Sequence, residues 1–478
     1  MRGRSLHGRL ATLAIVAAVG CVHDASAPER SEPAYSYVIA PPPEGSWTLR
    51  IDATFERAPG DRLVAPEAKE AIDSVELRES DGPHALALTD DAWVAPACRD
   101  RCTIRYSVDL QRLAASCRRF DCSRRVGGAV IGSAVSWMLH PEPTGEAVIR
   151  VHVVGGDPMR VVTGLRRAPE GGYVLRAREL GEAAYTAFGT FRRARLGVGG
   201  ASLDVAFLGT PLAMGDAAAA DWVRGAATCV ASLYGRFPSD ATVFVVPVRG
   251  ADEVVFGRVL SLAGASVALL FGDRASPASA HADWVAVHEL FHLSTASFLG
   301  EGHWLEEGLA TFYEPVLRER AGWMSEADLW RHFAESMPRG VRKEGEPASI
   351  EERDDIDSTY WGGALFVMLA DLAVLETTQG ARSLDDAMRA ALQLDGDATH
   401  SSSVAEFLRT GDQATGTHAL ADVYAHFAMG GGPVDLDGIW RRLGVEPRAD
   451  GSVVLHDDAP LAFARRAIAG TGAGSPKH

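Results

Sequence analysis

The sequence has very little lysine, few cysteines and, past its first twenty residues, no apolar run that reads as a membrane span. Three Lys stand against 44 Arg, which reflects genomic composition and not function. Positive charge as a whole is short: 47 basic against 63 acidic side chains give a formal charge of −16. A surface this acidic argues against nucleic acid or anionic lipid as a partner, since both would be repelled. A spanning helix needs roughly 20 apolar residues, so any membrane attachment is expected through a lipid only. Internal repeats are also lacking. What is present, 47% hydrophobic and 23% charged residues over 478 positions, is the composition of a globular chain long enough for two or three domains.

Arg2, Arg4 and Arg9 precede an apolar run from Leu10 to Val19, followed by Gly20 and Cys21. This pattern predicts a signal peptide over residues 1–20, with an apolar run about half as long as a spanning helix requires. Ala18 and Gly20 before Cys21 resemble a bacterial lipobox, so Cys21 is the expected lipidation site. A cut after Ala25-Ser26-Ala27 is disfavoured by Pro28. Loss of three positive and no negative charges would move the formal charge from −16 to −19. The expected location is exported, in the bacterial cell envelope and lipid-anchored, with a secreted soluble form as the alternative.

In an oxidising exported setting, Cys98, Cys102, Cys117 and Cys122 read as two disulfides in either pairing, or as a structural zinc cluster. Cys229 is left over as a buried thiol. Pro28, Pro33 and Pro41-Pro42-Pro43 suggest an extended lipid-anchored linker over 21–45. From Trp47 onward alternating apolar residues predict a β-sandwich-like domain over 46–205. Apolar runs without alternation, Thr242–Val248 and Gly264–Phe271, predict strands covered on both faces in an α/β domain over 206–320. Helices dominate 321–470, with Ser325/Asp328 and Ser383/Asp386 at capping-box spacing, and 471–478 is a tail. The fold class is α+β multidomain.

The run Trp284-Val285-Ala286-Val287-His288-Glu289-Leu290-Phe291-His292 carries two histidines four residues apart in a segment suited to a buried helix. That spacing puts both imidazoles on one face, at a separation one zinc ion can bridge. Glu289 sits beside the metal as a base for zinc-bound water. A catalytic zinc needs a third protein ligand, and Trp304-Leu305-Glu306-Glu307-Gly308 follows. Helical periodicity does not choose between Glu306 and Glu307. Further on lies Ser358-Thr359-Tyr360-Trp361-Gly362-Gly363-Ala364, opening an apolar helix.

These strings resemble the gluzincin metallopeptidases, with the glycyl aminopeptidase family nearest and the aminopeptidase N family more distant. The resemblance implies a zincin-type catalytic domain after an N-terminal β-domain, and here no PDZ-like segment follows. It implies one Zn2+ per chain, held by His288, His292 and Glu307, the last because the family's third ligand is a Glu directly before a Gly. It implies that Tyr360 donates a hydrogen bond to the oxyanion, while Gly362 stands where the family has Lys. Ser383-Leu384-Asp385-Asp386-Ala387-Met388 is similar to a later family helix. The family's Gly-x-Met-Glu-Asn strand, whose Glu binds a substrate amine, corresponds to Leu262–Leu270, which has no acid.

Glu314 is a candidate to brace a ligand histidine, while His281 and His303 read as structural or surface groups. The expected function is zinc-dependent hydrolysis of peptide or protein substrates. Two alternatives stand beside it: a surface binding protein that keeps the fold without efficient catalysis, and a zinc hydrolase of a non-peptide substrate.

Overall fold

Alternation organises the first half of the chain. A computed structural model describes residues 33–116, 123–155, 157–298 and 300–471. The expected signal peptide, Cys21, Cys117, Cys122 and residues 472–478 therefore lie outside the described residues. Strands β1 (Ala34–Ala40), β2 (Thr48–Glu56), β3 (Ile72–Glu79), β4 (Gly82–Ala85), β5 (Arg101–Asp109), β6 (Val148–Val153) and β7 (Tyr173–Arg176) form one sheet in the order β7-β6-β1-β2-β5-β3-β4. Only the β1–β6 pair is parallel. Leu49, Ile51, Ala53 and Phe55 of β2 all face the core, as period-2 patterning requires. Two further four-stranded sheets supply the rest of that core, including Leu63, Val130 and Phe188.

β1 corrects the expected linker, because folded chain begins within residues 21–45 and not near Trp47. Tyr35, Tyr37 and Ile39 alternate with less buried residues and pack inward, and the Tyr37 hydroxyl donates to the Leu139 carbonyl at 2.7 Å. The prolines bracket this strand at Pro33 and Pro41 without interrupting it, which is where Pro is tolerated beside a sheet. Cys98 and Cys102 are joined in a disulfide, which removes both from any metal cluster.

A five-stranded sheet contains β8 (Arg192–Val198), β9 (Ala201–Phe207), β10 (Ala241–Val248), β11 (Val254–Leu260) and β12 (Ser266–Gly272), in the order β8-β9-β10-β12-β11. Its three inner strands are parallel and its two edge strands antiparallel. The boundary expected at 205/206 thus falls inside β9. A hairpin of short strands reads like the β-domain before it, but β9 pairs in parallel with β10. Both faces of the sheet are covered, as its unbroken apolar strands predict. Val243, Val245, Val267 and Leu269 face helix α1 (Asp216–Tyr234) and its neighbours. Phe244, Val246, Ala268 and Leu270 pack instead against Ile131, Val162 and Ala187 of a smaller sheet.

Helices α2 (Val285–His292), α3 (His303–Arg320) and α4 (Gly363–Thr377) continue the first of these faces. A single hydrophobic core runs from Val267 through Leu290, Leu309 and Phe366 to Phe407 and Trp440, so residue 320/321 is not a core boundary as expected. Ser325 accepts from the Asp328 N–H at 3.1 Å, and Ser383 and Asp386 form a reciprocal capping box. Ser358–Thr377 is in fact long and apolar enough to cross a membrane, contrary to the sequence expectation, and it is 78% buried inside the protein. A core helix covered on all sides is apolar all round.

α3 and α4 meet backbone to backbone. A methyl on Gly308 would lie 2.3 Å from the Gly363 carbonyl carbon, and one on Gly363 would lie 2.1 Å from the Trp304 carbonyl oxygen. Only glycine at both positions allows this approach. Gly363→Ala should therefore destabilise the protein by about 1–3 kcal/mol through overpacking, read as a lower denaturation midpoint. An unchanged midpoint would mean that the helices can part without cost.

Candidate metal centre

α2 is buried along Val285, Val287, Leu290 and Phe291, which fixes its rotation and leaves His288 and His292 side by side on the remaining face. Their Nε2 atoms are 3.2 Å apart. Glu307 comes from the first turns of α3, next to the glycine contact. Its Oε2 lies 3.1 Å from His288 Nε2 and 3.6 Å from His292 Nε2. Zn–N bonds of about 2.05 Å in tetrahedral geometry place neighbouring ligands about 3.3 Å apart, so this triangle fits a zinc ion. The donor set, two imidazoles and a carboxylate, fits it as well.

Charge points the same way. Burial pushes the His288 imidazole down, toward the neutral ring that a metal requires. Burial would lower His292 too, but Glu307 outweighs it and raises the ring to about 9. Burial alone would raise Glu307, yet the two histidines hold its carboxyl far below the usual range. The carboxylate thus demands positive charge at this point, from a proton or a cation.

Glu306 faces away. Its Oε1 accepts from the Phe298 N–H at 2.5 Å and from the Ser297 hydroxyl at 3.3 Å, which ties down the loop before α3. Of the two carboxylates that periodicity left open, Glu307 is the one beside the histidines.

Glu289 and Tyr360 line the same cleft of about 450 Å³ as His288, His292 and Glu307. Burial pushes the Glu289 carboxyl up to about 7. Tyr360 lies on a π-helical turn, Ser358–Gly362, leading into α4, and its ring stacks on His288 at 5.9 Å between centroids. Burial, then the carboxylates of Glu307 and Glu289, push its hydroxyl up, so it stays protonated and able to donate. His303 stands at the exposed rim, and His281 packs at a tilt against Trp323, 4.2 Å between ring centroids. The Cys229 thiol is buried and pushed up to about 12.

Two sequence expectations are corrected. Glu314 does not brace a ligand histidine through any observed bond; it accepts from Arg318 Nη1 at 2.8 Å, and Arg318 Nη2 donates to the Ala282 carbonyl at 2.7 Å. The i,i+4 spacing of Glu314 and Arg318 was the available signal. The stretch Leu262–Leu270 does not supply the strand beside the cleft either. Most of it is β12, buried in the sheet interior, and the strand facing the cleft is the edge strand β11. β11 also has no acid, and it carries Arg258 toward the cleft. Gly257 sits against the base: a Cβ there would be 2.2 Å from Glu289 Cγ. A lone glycine inside an apolar strand is the sequence mark of such a close approach.

No protein-family profile matches the sequence, and no curated protein does. Among solved structures the chain is similar to an aminopeptidase N family protein from Idiomarina loihiensis, with a TM-score of 0.64 at 16% identity over 86% of this chain and 78% of that one. It is also similar, at a TM-score of 0.47, to the M1 zinc metallopeptidase of Deinococcus radiodurans, at 14% identity over 85% of this chain and 95% of that one. A mutant of that enzyme bound to a Tyr-Ser-Ala substrate gives a TM-score of 0.47 at 14% identity, over 84% of this chain and 95% of that one. The first likeness gives the chain the fold of the aminopeptidase N family protein: mixed α and β, with sheets followed by a helical C-terminal region.

Zinc titration of the purified protein, followed by metal analysis, should show one tight equivalent. Glu307→Gln should weaken it by about 100-fold or more and Glu306→Gln should not. The reverse ranking would reject the assignment.

Proposed function

We propose that this chain is a gluzincin-type zinc metallopeptidase. The observation that carries the reading is the convergence of His288 Nε2, His292 Nε2 and Glu307 Oε2, with Glu289 and Tyr360 lining the same cleft. His288, His292 and Glu307 would hold the zinc. When bound, zinc would lower the pKa of the attacking water toward neutrality and, as a Lewis acid, would polarise the scissile carbonyl.

The residues of the chain then divide the work. Glu289, beside the two histidines and poised near 7, accepts the proton of the attacking water and returns it to the leaving amine. Tyr360 keeps its proton and donates to the oxygen that gains charge in the tetrahedral state. Gly257 leaves Glu289 the room it needs. The glycyl aminopeptidase and aminopeptidase N resemblance of the motifs supports peptides as substrates. The N-terminal arginines, apolar run and Cys21 support a lipid-anchored position in the cell envelope.

Glu289→Gln should keep the metal and lower turnover of a peptide mixture by at least about 100-fold. Tyr360→Phe should lower kcat by about 10²–10³-fold with a small change in KM. Zinc-loaded Glu289→Gln protein with undiminished turnover would end the proposal.

A further inference from the structure

Ten large hydrophobic side chains stay exposed among the described residues, and three of them, Val255 (47%), Phe256 (44%) and Trp284 (47%), line the cleft that holds His288, Glu289 and His292. Scattered exposed apolar residues need no explanation, but a cluster at one concave site does.

The backbone accounts for two of the three. Along β11, Val254 pairs with Phe271 and Phe256 with Leu270, so Val255 is an extra residue in the ladder. This bulge breaks the period-2 alternation: Val255 and Phe256 are both exposed, where a regular strand would bury one of them. Regular pairing resumes at Phe256, directly before Gly257, the position pressed against Glu289. The apolar pair is therefore in register with the base, one and two residues away along the strand. Trp284 enters from the other element that builds the site. It is the N-cap of α2, and its ring meets the His288 ring edge-on at 5.1 Å between centroids.

We propose that Val255, Phe256 and Trp284 form the specificity pocket for a large apolar or aromatic side chain of a peptide, at a residue adjoining the bond that is cleaved. The inference rests on the peptidase reading and adds to it the substrate class. Burial of such a side chain against three exposed apolar groups supplies the affinity, and the register between Gly257 and Phe256 sets it beside the reacting bond.

A random peptide library digested by the zinc-loaded protein and read by mass spectrometry tests this. Leu, Phe, Tyr or Trp should be enriched at one position next to the cut by at least about 10-fold over Gly and Asp. Phe256→Ser, at an exposed position, should flatten that enrichment. Binding is read separately by fluorescence anisotropy, using zinc-loaded Glu289→Gln protein and a labelled Ala-rich hexapeptide with or without a single Phe. Tighter binding of the Phe peptide, lost with Phe256→Ser, supports the pocket. Cleavage without preference, or equal binding of the two hexapeptides, overturns the pocket and leaves the peptidase reading standing. No cleavage of any peptide sinks the peptidase reading, while the anisotropy ranking still decides the pocket.

Discussion

The site depends on the contact of Gly308 with Gly363. Glu307 directly precedes one glycine, and Tyr360 comes three residues before the other. Because the two helices touch through their backbones, with no side chain between them, there is one way for them to seat. That seating sets a carboxylate oxygen within 3.1 Å of His288 and stacks a phenol on the same ring. A side chain at either glycine would push Glu307 and Tyr360 away from the histidines together. The Glu-Gly pair is thus a packing requirement as well as a motif.

The opposite wall of the cleft comes from the edge strand β11. Its Gly257 admits Glu289, and its bulge turns Val255 and Phe256 outward. Glu289, buried where its helix meets this strand, is desolvated, which is why its carboxyl rises toward neutrality while Glu307, facing two imidazoles, falls. Two carboxylates eighteen residues apart therefore take different parts because their neighbours differ, not because their chemistry does.

Much of this was legible in sequence because it is local. The i,i+4 histidines need only a helix, and Leu49 to Phe55 needs only alternation. The disulfide Cys98–Cys102 joins residues only four positions apart. What the sequence hid depends on distant partners. β1 reads as a proline-flanked tether until β2 and β6 are there to pair with it. The strand Ala201–Phe207 looks like one more β-domain strand until its parallel partner is known. Helical periodicity does not choose between Glu306 and Glu307, and it is the loop carrying Phe298 that takes up Glu306. The apolar helix Ser358–Thr377 is one more case, since burial inside a protein and burial in a membrane select the same composition.

The account turns on whether a metal sits at the point where the three donors converge. The most direct measurement is anomalous diffraction at the zinc edge from crystals of the protein purified with zinc. The account predicts one strong peak, about 2.0–2.2 Å from His288 Nε2, His292 Nε2 and a Glu307 carboxylate oxygen. A peak on Glu306 instead, or none beside the two histidines, would contradict it.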